Sequence, residues 1–228
     1  GDIGPMADNL PLRVAGGLHA LRLSGKDHGL EASYPPNDVS DDRLWAAVEQ
    51  ALSTHDTFLC DWVTHAPQTN EVRRAAALIA GAHLLAGRYG LPLRLSELGA
   101  SGGLNLMFDR FGLQLPGQLL GPKSSDVTLN PDWRGDEPEA SELTIVERRG
   151  VDLNPIDAHD PQGALRLQAY LWPDQAERLQ RQLDELRIAL EFSQERQTLN
   201  VVDDVPAGDR GLLEVLEDLP GLSGLDDR

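Results

Sequence analysis

A strand, a tight turn and a helix are predicted by nine consecutive residues, Glu97-Leu98-Gly99-Ala100-Ser101-Gly102-Gly103-Leu104-Asn105. Residues 91–98 alternate apolar and polar side chains, which is typical of a β-strand. Small residues in the turn let the backbone approach a ligand closely, and the following helix presents free N–H groups to anionic atoms. The acid at the strand end, Glu97, can receive an ammonium or hydroxyl group. We therefore expect a ligand site suited to a cofactor with an amino-acid end and a ribose.

The chain before this turn has helical signals. Apolar residues recur at helical spacing over residues 12–23, and Ser40 offers an N-cap for a helix over 43–53. A short helix is expected over 57–63, and a long Ala- and Leu-rich helix over 71–89 ends at Gly90. We expect an N-terminal helical portion over residues 1–90.

The chain after the turn predicts an α/β core over residues 91–228. A helix over 104–111 leads into an irregular excursion with short strands over 112–141. One or two strands are expected over residues 143–153, followed by helices over 162–171 and 175–192. A strand over 198–202 and a short helix from 212 onward complete the prediction.

Acidic residues follow two of the later strands. Asp152 suits hydrogen bonds from ribose hydroxyls, although Asn154-Pro155 also fits a plain Asx turn. Asp203 can accept the exocyclic amine of an adenine ring, and a solvated acidic turn is the alternative. The arginine pair Arg148-Arg149 favours ion pairs with the many acids over a phosphate contact.

Polar residues before the long helix are a second candidate region. Gln68, Asn70 and Glu71 can border a ligand cleft upstream of the glycine strand, while a helix N-cap is the simpler interpretation of Thr69 or Asn70. The turn also spells Gly99-x-Ser101-x-Gly103, the nucleophile-elbow pattern of α/β-hydrolases, with Asp152 and His159 following in the order of a triad. Against a serine hydrolase, that fold needs several strands before the elbow, where this chain is helical.

Composition narrows the function classes. The chain has 228 residues and a net charge of −17, which disfavours nucleic acid or anionic membrane as partners. A single cysteine excludes an intrachain disulfide and any multi-Cys zinc site, and the histidines lack metal-like spacing. With no long apolar run and no signal peptide, we expect a cytoplasmic protein without a metal site.

The motifs together resemble an uncharacterised bacterial family, domain of unknown function 2332. The resemblance runs from about residue 12 to about residue 204, and it rests on residues 18–21, 67–71, 97–105, 131–135 and 148–155. Within it, the glycine segment is similar to motif I of S-adenosylmethionine-dependent methyltransferases.

This resemblance implies a Rossmann-like, methyltransferase-like three-layer sandwich that binds S-adenosylmethionine. The implied cofactor loop contains Glu97, Gly99, Ser101, Gly103 and Asn105, with Asp152 as the ribose acid and Asp203 near adenine. Ser101 replaces the usual middle glycine, which narrows the space beside the cofactor. The methyl acceptor is then a small molecule or a protein. A non-catalytic binding module with the same fold is the alternative, and a serine hydrolase with Ser101 as nucleophile is the second alternative.

Overall fold

The computed structural model describes residues 9–68, 70–174 and 200–202. These ranges form a mixed α/β structure. Its α-helices are α1 (Leu10–Leu23), α2 (His28–Glu31), α3 (Asp41–Thr54), α4 (Asp56–Trp62), α5 (Ala75–Tyr89) and α6 (Pro161–Ala169). Its strands are β1 (Leu93–Leu98), β2 (Gly112–Gln114), β3 (Leu119–Leu120), β4 (Thr128–Leu129), β5 (Ile145–Val151) and β6 (Asn200–Val202). Two 3₁₀ helices span Val72–Arg74 and Leu104–Arg110.

The helices in the first ninety residues start and end where local signals place them. Ser40 caps α3, because its side-chain oxygen accepts the Arg43 N–H at 3.4 Å. Asp27 caps α2 in the same way through the Leu30 N–H at 2.8 Å. Gly90 ends α5 in the left-handed conformation, with φ of 63°, which only glycine adopts without cost. The expected helices before the glycine turn are thus present.

The main sheet is parallel and has the strand order β1-β5-β6. Leu98 pairs with Val151 at the carboxyl end of the first two strands, and Val151 pairs with Val202 of β6. All three strands therefore end at one edge of the sheet, where residues 99–103 and Asp152 follow β1 and β5. The segment over 143–153 contains one continuous strand, β5, so the two-strand alternative is wrong.

The excursion between β1 and β5 contains a small mixed sheet in the order β3-β2-β4. Leu113 pairs with Leu120 in an antiparallel hairpin and with Leu129 in a parallel pair. All three leucines are buried in the main core, which they share with Ile79 of α5 and Leu104. The excursion therefore contributes to the core.

The helix expected over 104–111 is present over residues 104–110, and it is a 3₁₀ helix instead of an α-helix. The side chains of Leu104, Leu106, Met107 and Phe108 are all buried. The Leu106 carbonyl, which an α-helix would use internally, accepts the buried Arg148 Nε–H at 3.0 Å. A strand residue 42 positions later thus satisfies the backbone group that an α-helical turn would have used.

Early and late parts of the chain are packed together. Ala20 of α1 and Trp62 of α4 share a core cluster with Ala169 and Tyr170 at the end of α6. The division of the chain into portions 1–90 and 91–228 stays a prediction. The helix expected over 175–192, the tail helix and Asp203 lie outside the described residues.

Candidate functional site

The glycine turn has three residues in the left-handed region of backbone space. Gly99 has φ of 70°, Ser101 has φ of 52° and Gly103 has φ of 71°. Glycine adopts this conformation freely, whereas a residue with a Cβ pays about 1 kcal/mol or more. Ser101 is therefore the strained member of the turn, and its surroundings must hold it in place.

Asp152 holds the turn from the neighbouring strand. Its Oδ2 accepts the backbone N–H of Ser101 at 2.7 Å, and its Oδ1 accepts the backbone N–H of Asn154 at 2.9 Å. The Val151 carbonyl adds a bond from the Gly99 N–H at 2.8 Å. The end of β5 and the turn after β1 consequently form one hydrogen-bonded unit.

The residues upstream of α5 reach the same place. Asn70 and Asn105 are both buried, and the Asn105 amide donates to the Asn70 side-chain oxygen at 3.1 Å. The Asn70 amide in turn approaches the Ala100 carbonyl at 3.5 Å. Gln68 donates to the Asn154 carbonyl at 2.7 Å. The structure therefore brings Gln68 and Asn70 to the turn, and their part in ligand binding stays a prediction.

Glu71, unlike Gln68 and Asn70, directs its side chain to the helix that follows it. Its carboxylate accepts the backbone N–H of Arg73 at 3.2 Å and caps the 3₁₀ helix that precedes α5. This contact gives Glu71 a structural role at the start of that helix. Its part in ligand binding stays a prediction.

Glu97 lies at the carboxyl end of β1 and is half-buried. Burial raises the pKa of its carboxyl above the ordinary value, and the nearby Asp152 carboxylate acts in the same direction. The Arg74 guanidinium and the Asn105 side chain oppose the rise in pKa. Because burial destabilises the ionised form of this carboxyl group, a cation or a hydrogen-bond donor that approaches it would stabilise that form.

Three buried oxygens around the turn have no hydrogen-bond partner in the described part of the chain. They are Glu97 Oε2, Ser101 Oγ and Asn105 Oδ1. Buried polar atoms are nearly always paired, because an unpaired one costs about 1–3 kcal/mol. The Glu97 and Asn105 oxygens are acceptors and the serine hydroxyl can both accept and donate, so the cluster suits a ligand or water that donates hydrogen bonds.

The turn is closed on one side and open on the other. A Cβ on Gly102 would lie 3.0 Å from the Leu167 side chain of α6, and the Ser101 carbonyl accepts the Ile156 N–H at 3.2 Å. A Cβ on Gly99 would meet no atom within 4 Å. A ligand can therefore approach the turn at Gly99, whereas α6 and Ile156 cover Gly102.

The serine, histidine and aspartate of the hydrolase alternative are not arranged as a relay. The His159 ring nitrogen Nδ1 lies 2.9 Å from Asp157, and both side chains are exposed. Asp152 uses its carboxylate on backbone N–H groups instead of orienting a histidine. Together with the unpartnered Ser101 Oγ, this geometry gives the serine no general base among the described residues.

Sequence reasoning missed two residues that shape this site. Arg74 acts on the Glu97 carboxyl through its charge, although it lies on the 3₁₀ helix before α5. Leu167 covers Gly102 from α6. The stretch 72–96 contains four arginines and no acid, and this local excess of positive charge was the available signal for Arg74.

The family comparison covers most of the chain. A family model described as an uncharacterised protein conserved in bacteria, DUF2332, matches residues 2–209. The chain belongs to this family. Neither the curated proteins nor the solved structures contain a match. The resemblance stated from the motifs is thereby confirmed for the family, and the methyltransferase-like activity stays a prediction.

The described ranges carry no sign of a membrane span or a metal centre. No helix there combines the length and the apolar character needed to cross a membrane. No three His, Cys, Asp or Glu side chains in those ranges are grouped so that they could hold a metal ion.

Proposed function

We propose that the glycine turn binds S-adenosylmethionine and that the protein is methyltransferase-like, with a small molecule or a protein as acceptor. The observation that carries this proposal is the unpartnered, buried Glu97 Oε2 at the carboxyl end of β1. It lies at the sheet edge where the ends of parallel strands supply ligand contacts in nucleotide-binding folds. The parallel order β1-β5-β6 supports a Rossmann-like arrangement of these strands.

The polar groups of the site fit two parts of such a cofactor, its ammonium group and its ribose. Glu97 has a free acceptor for the ammonium group, and an incoming cation offsets the burial that raises its pKa. Each Asp152 oxygen accepts one backbone N–H and keeps a second lone pair for a ribose hydroxyl. Asp203, the residue proposed for adenine, lies outside the described ranges.

The chain contributes binding and orientation. The bound cofactor would supply an electrophilic methyl group. The rigid turn, held by Asp152 and by the Asn70–Asn105 pair, positions the ligand, and positioning alone can lower a barrier substantially. An acceptor without phosphate groups is proposed because the net charge of −17 repels polyanions. The single cysteine is consistent with a cytoplasmic location, which forms part of the proposal.

Calorimetric titration with S-adenosylmethionine and S-adenosylhomocysteine, together with thermal unfolding, tests this function. A ligand at about a hundred times its Kd stabilises the folded state by about 2.7 kcal/mol. Glu97→Gln should weaken binding by about tenfold or more, because it removes a charged hydrogen-bond partner. Glu142→Gln is the control, since Glu142 is an exposed acid. Absence of heat and of any thermal shift with both compounds at millimolar concentration would refute the proposal.

A non-catalytic module with the same fold is the second candidate. The observation that favours it is the burial of residues 100–103, with Ile156 and Leu167 covering one side of the turn. The helix that follows the turn is a seven-residue 3₁₀ helix, with poorer hydrogen-bond geometry than an α-helix. Binding without release of S-adenosylhomocysteine, in the presence of candidate acceptors, would favour this module, and turnover would exclude it.

A further inference from the structure

A second cleft lies between the start of α5 and the segment that follows β4. It has a volume of about 540 Å³ and is lined by Arg73, Ala76 and residues 128–132. Small-molecule sites commonly span roughly 300–1,000 Å³. The lining does not include Glu97, Ser101 or Asp152 of the glycine turn. We propose that this cleft binds a small organic carboxylate, with the Arg73 guanidinium as its anchor.

Arg73 is a cation available to a ligand. Within the described ranges it has no ion pair, although the whole chain contains 37 acids and only 20 lysines and arginines. The nearest acid in sequence, Glu71, directs one carboxylate oxygen to the backbone N–H of Arg73 at 3.2 Å. Residues 72–96 contain four arginines and no acid. Of these arginines, Arg94 pairs with Glu147 and Arg88 lies at the other end of α5, so Arg73 is the charge that attracts an anion to the cleft.

The opposite wall does not cancel this charge. Asp132, the acid that lines the cleft, is paired with Arg134, whose Nη2 lies 2.6 Å from its Oδ2 and whose Nε lies 3.2 Å from the same oxygen. The Asn130 amide is exposed at the cleft and can donate a hydrogen bond. Arg73 thus remains the uncompensated charge of the lining.

The remaining lining suits the carbon body of the ligand. Ala76 and Pro131, which are half-buried, contribute apolar surface between the polar groups, and Leu129 behind them belongs to the core. A guanidinium matches a carboxylate through two parallel N–H···O bonds, so a single arginine is enough to orient the ligand. A phosphate dianion would bring a second negative charge into an acidic protein with only this one free arginine in the lining, which favours a monoanionic carboxylate.

The test is ¹⁹F NMR titration of the full chain with 4-fluorobenzoate and its neutral isostere 4-fluorobenzamide. The benzoate should bind at least about tenfold more tightly than the amide, which is the effect of one charge-assisted hydrogen-bonded pair. Arg73→Gln should abolish this preference. Arg88→Gln is the matched control, because Arg88 is an exposed arginine on α5 whose guanidinium lies 5.5 Å from the Tyr89 ring, and it should leave the preference unchanged.

Three results in the titrations with the two fluorinated probes would overturn the proposal. They are equal binding of benzoate and benzamide, retention of the preference in Arg73→Gln, and no binding of either probe at about 10 mM, which is weaker than the usual range for a specific site. Inorganic phosphate should fail to displace the benzoate, and displacement at low concentration would assign the cleft to phosphate instead of a carboxylate. Arg73→Gln should bind S-adenosylmethionine as the wild type does, which separates this inference from the proposed function, because the cleft lining contains none of Glu97, Ser101 and Asp152.

Discussion

The Asp152 carboxylate accepts the backbone N–H of Ser101 at 2.7 Å and joins the end of β5 to the turn after β1. The two residues are 51 positions apart in sequence, and the parallel pairing of the strands makes them neighbours. Ser101 is the residue whose left-handed backbone is strained. An ionic hydrogen bond from outside the turn therefore stabilises the conformation that the turn itself disfavours.

Replacing Asp152 with alanine should destabilise the protein. The change removes two hydrogen bonds to a charged acceptor, from the N–H groups of Ser101 and Asn154, and leaves the Ser101 N–H unpaired. We expect a loss of about 2–3 kcal/mol in the free energy of unfolding, measured by urea denaturation. Asp38→Ala, at an exposed loop position, should change this value by less than about 0.5 kcal/mol. Equal values for the two variants would contradict the bridging role of Asp152.

Replacing Ser101 with glycine should stabilise the protein. Glycine adopts φ of 52° without a Cβ penalty, and the change also deletes a buried hydroxyl that has no partner in the described ranges. The net gain should be about 1 kcal/mol after the entropy cost of glycine in the unfolded chain. Ser101→Ala keeps the Cβ and should gain less. A Ser101→Gly variant that unfolds at lower urea than the wild type would show that the hydroxyl has a stabilising partner.

Much of the fold follows from short-range signals in the sequence. Ser40, Gly90 and the turn after β1 mark ends of elements through their own chemistry, so a local window is enough to find them. The helix over Leu104–Arg110 is also predicted, but its 3₁₀ conformation could not be predicted in this way. Its Leu106 carbonyl accepts a hydrogen bond from Arg148, and no short stretch of sequence around residue 106 contains that arginine.

The candidate site could be predicted only in part for the same reason. Parallel strands end at one edge, so the sequence suffices to expect Asp152 near Ser101. The sequence does not show that the Asp152 carboxylate accepts hydrogen bonds from backbone N–H groups, or that Leu167 covers Gly102. The cleft at Arg73 was missed because residue 73 and residues 128–132 meet only through the packing of α5 against the small sheet.

The expected ion pairing of Arg148 with an acid is confirmed, with Asp109 as partner.

Two adjacent arginines of β5 should differ sharply in their contribution to stability. Arg148 is buried and bonds the Asp109 carboxylate at 2.6 Å, whereas Arg149 pairs with Glu147 at the surface. Arg148→Met leaves a largely buried carboxylate with only the more distant Arg110, whose Nε lies 3.8 Å from Asp109 Oδ2, and should cost about 3 kcal/mol. Arg149→Met should cost less than about 1 kcal/mol. Urea denaturation of both variants checks this, and similar losses would contradict the assignment of Arg148 as the structural arginine.

His19 should make stability depend on pH. It is buried in α1, it donates from Nδ1 to the Ala169 carbonyl at 3.1 Å, and Nε2 lies 3.4 Å from Arg22. Burial, with help from the Arg22 charge, lowers the pKa of His19 from 6.5 to about 4. As pH falls, the unfolded chain therefore binds a proton at His19 before the folded chain does. The stabilisation that comes from keeping His19 neutral is complete above pH 6.5 and is lost between pH 6.5 and about 4.

The loss through His19 should reach about 3 kcal/mol across that window. In His19→Asn, whose amide can still donate to Ala169, this part of the pH dependence should disappear. Urea denaturation at about pH 7.5 and about pH 4.5 measures it as the difference between wild type and variant. His28→Gln, at a highly exposed position, should keep the wild-type profile. A flat difference between wild type and His19→Asn would contradict the buried neutral state.

Glu97 should give a pH dependence of opposite sign. Because the pKa of its carboxyl is raised in the folded state, mainly by burial, the unfolded chain ionises first as pH rises. The wild type should therefore lose stability relative to Glu97→Gln once the pH passes the ordinary range of a glutamate, and the difference should level off above the raised pKa. The glutamine amide can also donate to the unpartnered Asn105 Oδ1, which adds to its advantage.

Urea denaturation of wild type and Glu97→Gln from acidic to neutral pH measures this effect, with Glu142→Gln as the exposed control. A difference that does not change with pH would contradict the raised pKa. The same measurement bears on the proposed ligand, because a bound ammonium group stabilises the ionised Glu97 and lowers its pKa. Saturating S-adenosylmethionine should therefore offset the stability loss of the wild type at neutral pH and stabilise Glu97→Gln by about 1.4 kcal/mol less, the equivalent of tenfold weaker binding.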